Sequence, residues 1–307
     1  MSCTHPIYAL RLGAINAETG KELIKILPVR MDSSYKFWCD RYGKDNVLQL
    51  PCGKCPSCVE KRARSWAVRC VLEAAQYKDN CFLTLTYRDE CLPRGGLCKK
   101  DLQRFIRRLR DFTGKKIRYF ACGEYGEHTY RPHYHLIVFN WFPEDAKFLK
   151  ESEFGGILFT SKILNDLWPF GISSVGEVSY SSCGYVARYC NKKLARFNDT
   201  KEFCLMSKRP GIAEGFIKNH LDDVYDTDRV YVKCGNSTNS IPSRYFDKVF
   251  EAVDPEAFEK VKNVRINNAQ LSLASEMLRF GFEHVEEYYQ YVGSIKKDNF
   301  SRLKRRV

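Results

Sequence analysis

The 307-residue chain is 44% hydrophobic and 14% aromatic, enough apolar side chain for one large core or two ordinary ones, which excludes a disordered or low-complexity protein. Fifty Lys and Arg against 37 Asp and Glu leave a formal charge of +13, a balance suited to a polyanion, with nucleic acid the leading partner. No apolar run approaches the roughly 20 residues that cross a bilayer, so a membrane-spanning role is excluded.

The first residues, MSCTHPIYALRLGAINAETG, lack the charged and then apolar pattern of an export leader, and the chain is expected to stay where it is made. Residues 1–50 are mixed and poorly periodic and are read as an N-terminal segment. PCGKCPSC follows, placing Cys52, Cys55 and Cys58 in a C-x-x-C-x-x-C run. Fourteen cysteines without an export signal read as thiols or metal ligands rather than a disulfide framework. The run is tight enough for its thiolates to converge on a structural Zn²⁺. It needs a fourth ligand, for which Cys39, Cys70 or a more distant cysteine are candidates; the plain alternative is a reduced, cysteine-rich turn.

A helix is expected next, with Val59, Ala63, Trp66, Ala67, Cys70 and Ala74 on one stripe and Lys61, Arg62, Arg64 and Arg69 opposite. CFLTLTY (81–87) is β-branched and aromatic and reads as a strand. KKDLQRFIRRLRDF predicts an amphipathic helix that buries Leu102, Phe105, Ile106 and Leu109 and carries Arg104, Arg107, Arg108 and Arg110 elsewhere. KIRYFACG and PHYHLIVF read as an antiparallel strand pair, GISSVGEV (171–178) as a further strand, and SSCGYVARYCNKKLARF as a helix capped by Ser181 or Ser182. Beyond residue 200 the signals weaken to a basic turn in SKRPGI, a helix over 255–280 and a basic tail. Adjacent strands with helices packed on them predict an α+β domain around a mostly antiparallel sheet. The expected division is 1–50, a core over 51–212, and a C-terminal extension over 213–307.

Side chains alternate along a strand, so His133 and His135 share one face, roughly 6–7 Å apart, while Tyr134 faces away. Two imidazoles at that spacing can share a cation, and a cation for phosphate chemistry also wants an oxygen ligand. Glu124, at the end of the preceding strand, is the preferred third ligand; Glu127 in the loop is the alternative. A bare His-x-His is more often two surface or hydrogen-bonded histidines, so its company decides. That company is Tyr185 and Tyr189, four apart on a helix, each with a cation three residues on, Arg188 and Lys192. Nearby cations favour the phenolate, the nucleophilic form of a tyrosine. An aromatic stripe packed on the sheet is the plain alternative.

FLTLTY, GEYGEHTYRPHYHLIVF and YVARYCNKK, preceded by PCGKCPSCVEKRARSWAVR, occur in the order of the HUH endonuclease superfamily. From about residue 50 to about residue 212 the sequence resembles the replication initiator proteins of microviruses within it, particularly the gokushovirus type. The resemblance implies an RRM-like, mostly antiparallel five-stranded sheet, and a tyrosine endonuclease and strand transferase that initiates rolling-circle replication. It implies Tyr185 and Tyr189 as nucleophiles, His133, His135 and Glu124 as ligands of Mg²⁺ or Mn²⁺, and Lys192 steadying the phosphate. The implied partners are single-stranded origin DNA, the circular double-stranded replicative form, and host helicase and polymerase, in the bacterial host cytoplasm. Two rivals stand beside this: a transposase or relaxase of the same superfamily, and a non-enzymatic, zinc-bearing nucleic-acid-binding protein. The compact length, the cysteine run and the absence of a GxxxxGK[ST] loop favour the initiator over the first.

Overall fold

The computed structural model describes all residues except 1, 2, 4, 19, 21, 29–34, 127, 128, 152–155, 190–200, 233–237 and 305–307. Two compact units emerge, one of residues 1–61 with 264–307 and one of residues 62–263. The first opens with β1 (Ile7–Ile15), β2 (Glu22–Ile26), α1 (Tyr35–Tyr42) and β3 (Val47–Leu50); α2 (Pro56–Ala74) spans the boundary. The second runs through β4 (Asn80–Thr86), α3 (Lys99–Thr113), β5 (Arg118–Tyr125), β6 (Pro132–Phe139), β7 (Lys147–Glu151), β8 (Ile157–Thr160) and α4 (Lys162–Leu167). It continues with β9 (Ser173–Gly176), α5 (Tyr180–Tyr189), β10 (Phe203–Met206), α6 (Glu214–Asn219), α7 (Leu221–Thr227), β11 (Val230–Val232), β12 (Thr238–Ser240) and α8 (Arg244–Val253). Helix α9 (Pro255–Phe280) coincides with the helix expected over 255–280, and α10 (Val285–Lys304) makes part of the basic tail helical.

In the first unit β2, β1 and β3 form an antiparallel sheet that packs Val47 with Leu27 and with Trp38 of α1. The sequence of residues 1–50 does not announce this sheet. Strand β2 is exposed at every position, so it carries no apolar alternation to read.

The second unit is built on an antiparallel sheet in the order β10-β5-β6-β4-β9-β8-β7. It has seven strands where five were expected. Strand β8 pairs with β9, and β7 closes the edge exposed at every position, again without alternation. The central strands follow period 2, and their two faces bury different cores. Leu83, Leu85, Ala121, Tyr134, Leu136 and Val138 pack with Leu102, Phe105, Ile106 and Leu109 of α3 and with Trp168. Phe120, Cys122, Ile137 and Phe139 pack on the other face with Ala63, Ala67 and Cys70 of α2 and Cys183, Val186 and Ala187 of α5. The α3 stripe is thus buried as its periodicity predicts, and Gly114 closes the helix in the left-handed conformation, φ 63°.

Two local expectations change. The cap of α5 is Ser179, not Ser181 or Ser182: Ser179 Oγ accepts from Ser182 N at 3.1 Å and Ser179 N donates to Ser182 Oγ at 2.8 Å, a reciprocal capping arrangement. Arg69 does not lie on a solvated face. It is 7% exposed, donates through Nε and Nη2 to Ile212 O at 3.1 and 2.9 Å, and sits between the rings of Trp66 and Tyr245. Beside it Glu73 pairs with Arg118 and accepts from Ala213 N at 2.6 Å, while Arg118 donates to Pro210 O and Gly211 O at 2.9 Å each. Two buried cations thereby satisfy the carbonyls of a loop that would otherwise be orphaned under α2.

Candidate functional site

Register builds the site. In the β5–β6 pair Glu124 stands opposite His133 and Cys122 opposite His135; in the β4–β6 pair Thr86 and Thr84 stand opposite the same histidines. Residues opposite each other share a face, so the carboxylate, both imidazoles and the two threonines belong to the α2 and α5 side of the sheet.

Glu124 Oε1 lies 2.9 Å from His133 Nε2 and 2.9 Å from His135 Nε2. The His133 and His135 rings are 4.9 Å apart, nearly perpendicular. His133 Nδ1 donates to Arg131 O at 3.0 Å, and His135 Nδ1 lies 3.0 Å from Thr84 Oγ1. Each ring therefore spends Nδ1 on the scaffold and turns Nε2 to the carboxylate, the arrangement seen when a second group orients an imidazole ligand. Phe82 stacks on His135 at 5.5 Å.

Burial would raise the Glu124 carboxyl, but hydrogen bonds from His133 and His135 outweigh it and hold the group below its ordinary value. Burial pulls His133 down, and the hydrogen bond and charge of Glu124 more than reverse this. His135 is fully enclosed, and there burial wins and keeps the imidazole neutral. The trio can hold a proton between Glu124 and His133, or a divalent cation in its place.

A cation fits the donor set. Three ligand atoms, one O and two N, lie within 4.8 Å of one another, a mix that suits Mg²⁺ or Mn²⁺. Glu124 is 1% exposed, and its Oε2 is buried with no hydrogen-bond partner among the described residues. A buried carboxylate oxygen left unpaired is costly, and a cation would satisfy it.

Helix α5 brings Tyr185 to the same place. Its half-buried ring meets His135 edge-on, 5.0 Å between centroids at 88°, and also the edge of Phe82 at 6.3 Å. Arg188 is exposed near the end of the helix. Tyr189 is the last residue of α5, but its side chain, Lys192 and Glu127 lie outside the described residues. Glu124, His133, His135 and Tyr185 are brought together.

Thr84 and Phe82 were not singled out from the sequence, although the alternation of FLTLTY places them with Thr86 on one face. Cys52, Cys55 and Cys58 also converge, and the fourth thiol beside them is Cys3. Cys39 instead packs at the core of the small sheet and Cys70 lies in the core under α2.

The family model for the replication-associated protein ORF2 matches residues 80–194, from β4 through α5. The replication-associated protein VP4 of Bdellovibrio phage phiMH2K is 34% identical over 236 residues, 73% of this chain and 74% of the relative. The replication-associated protein ORF2 of Spiroplasma virus 4 is 30% identical over 274 residues, 83% and 84% of the two chains. The replication-associated protein ORF4 of Chlamydia phage 1 is 38% identical over 173 residues, 52% of this chain and 43% of its own. No solved structure matches the chain.

Proposed function

The chain belongs to the replication-associated proteins of microviruses, and we propose that it starts rolling-circle replication by nicking one strand of the phage origin through a tyrosine. The observation that carries this reading is the convergence of Glu124 Oε1 with both imidazole Nε2 atoms beside the ring of Tyr185. The reaction is assigned to the core over 51–212, with 213–307 as an extension.

Glu124, His133 and His135 would hold Mg²⁺ or Mn²⁺, which would neutralise the scissile phosphate and favour the tyrosine as phenolate. Thr84, Phe82 and the Arg131 carbonyl keep the two imidazoles in one orientation. Tyr185 attacks phosphorus in line. The Tyr185 oxygen–phosphorus bond forms, the phosphorus–O3′ bond breaks, and the departing O3′ takes up a proton. The product is a 5′-phosphotyrosine and a free 3′-OH for host polymerase, and the phosphotyrosine keeps the bond energy for rejoining. Tyr189 is the second nucleophile in this scheme, releasing a single-stranded circle after a round of synthesis, and Lys192 steadies the phosphate.

Exposed Lys61, Arg62 and Arg64 on α2 and Arg104 and Arg107 on α3 are natural phosphate contacts for single-stranded origin DNA and the double-stranded replicative form. The setting is the host cell, with host helicase and polymerase as partners. Among the described residues no helix is long and apolar enough to cross a membrane.

The test is cleavage of single-stranded origin oligonucleotide in Mn²⁺, followed by mass spectrometry of the DNA-linked peptide. A peptide joined through Tyr185 or Tyr189 is expected, with loss of cleavage in the double variant Tyr185→Phe, Tyr189→Phe and in His133→Ala. Cleavage that persists in the double variant overturns the tyrosine mechanism and leaves a nucleic-acid-binding protein.

A further inference from the structure

Outside the nicking site, one group of side chains converges without an apolar reason to do so. The Sγ atoms of Cys3, Cys52, Cys55 and Cys58 all lie within 4.8 Å of one another, and all four residues belong to the first unit. Cys3 Sγ is 3.8 Å from Cys55 Sγ. A tetrahedral ion with Zn–S bonds of about 2.3 Å needs thiolates about 3.8 Å apart along each edge. A disulfide would instead draw one pair to about 2.05 Å and leave the others aside.

Packing alone does not account for the group. The buried thiols of Cys70, Cys81, Cys122 and Cys183 are dispersed among apolar side chains and form no such cluster among the described residues. Around the four, backbone amides point at sulfur. Cys52 N donates to Cys3 Sγ at 3.3 Å, Cys55 N to Cys52 Sγ at 3.3 Å, and Lys54 N to Cys52 Sγ at 3.4 Å. Amide donors favour the thiolate, the form that binds metal. Cys55 immediately precedes α2, whose N-terminal end favours negative charge in the same way.

We propose that Cys3, Cys52, Cys55 and Cys58 hold one Zn²⁺, with Cys3 supplying the ligand that the C-x-x-C-x-x-C run lacks. Four thiolates select a soft ion over Mg²⁺. A closed four-ligand site keeps no open position for substrate, so the ion is structural. It fastens the segment leading into β1 to the head of α2, within a unit whose remaining core is small. Metal sites of this kind stabilise small units that bury little apolar surface. The inference is independent of the nicking reading, since the other site offers one oxygen and two nitrogens.

The experiment is elemental analysis of full-length protein purified without chelator, together with Cys3→Ser, Cys39→Ser and His133→Ala. One zinc per chain is expected in the parent, in Cys39→Ser and in His133→Ala, and none in Cys3→Ser. Because Cys3→Ser can fail to fold, the parent is also loaded with Co²⁺. Intense visible bands with a thiolate-to-cobalt charge-transfer band in the near ultraviolet support a tetrahedral four-thiolate site. A weak octahedral cobalt spectrum, iron in place of zinc, a folded parent without zinc, or full zinc in Cys3→Ser each overturns the proposal. Zinc present in a protein that fails to nick would count against the nicking mechanism alone.

Discussion

His135 is held from three sides: Thr84 Oγ1 at 3.0 Å from Nδ1, the Phe82 ring stacked on one face, and the Tyr185 ring against it edge-on. A ligand held by its neighbours need not be ordered when the ion arrives, and groups that orient a metal ligand are commonly worth 10–100-fold in affinity. Thr84→Val keeps the shape and removes the hydroxyl. The Mn²⁺ concentration for half-maximal cleavage should rise by roughly 10–100-fold, with activity recovered at saturating Mn²⁺; an unchanged requirement would show that Thr84 does not position His135. Glu214 gives a residue-scale test of a different kind. Lys218 Nζ at 2.8 Å, Tyr245 OH at 2.5 Å and Gly211 N at 2.8 Å all donate to it, and they pull its carboxyl from 4.5 down to about 2. A carboxylate depressed on folding adds stability above its unfolded pKa and loses it as pH falls through the folded one. Glu214→Gln should therefore be less stable than the parent at pH 6, with the gap closing between pH 4.5 and pH 2. Urea unfolding midpoints across that range check it, and a gap independent of pH would assign the effect to something other than charge.

At the scale of elements, α3 shows where periodicity suffices. Leu102, Phe105, Ile106 and Leu109 are each at most 3% exposed, while Arg104 and Arg107 face solvent, as a 3.6-residue pattern requires. Phe105→Ala should cost about 3–5 kcal/mol, because the ring is enclosed and the cavity it leaves cannot collapse against a sheet; thermal melting measures it, and a loss under about 1 kcal/mol would contradict this packing. Helix α2 shows where periodicity misleads. Arg69 falls on its charged stripe, yet the 210–213 loop and Tyr245 cover that position, so its guanidinium is buried and hydrogen-bonded. No pattern within α2 announces a loop more than a hundred residues away. Strands β2 and β7 are illegible for a simpler reason: with neither face buried there is no alternation.

For the whole molecule the formal charge of +13 sets the salt dependence of DNA binding. If Arg104 and Arg107 each neutralise a phosphate of single-stranded DNA, Arg104→Gln with Arg107→Gln should lower the slope of log K against log salt by about 1.4, with the melting temperature nearly unchanged. An unchanged slope would remove α3 from the DNA path. The chain order of motifs, the shared face of His133 and His135, the stripe of α3 and the helix that bears Tyr185 were all legible in the sequence, because periods of 2 and 3.6 residues are local properties of the backbone. The tertiary structure alone decided which distant groups meet them. Glu124 reaches both imidazoles because the β5–β6 register sets it opposite His133, and a slip of one residue would turn the carboxylate to the opposite face. Cys3 joins Cys52 only when a loop of 49 residues closes, and Arg118 finds Glu73 only when β5 docks under α2. Such meetings depend on register and loop closure over the whole chain, and neither leaves a repeat in the residues that take part.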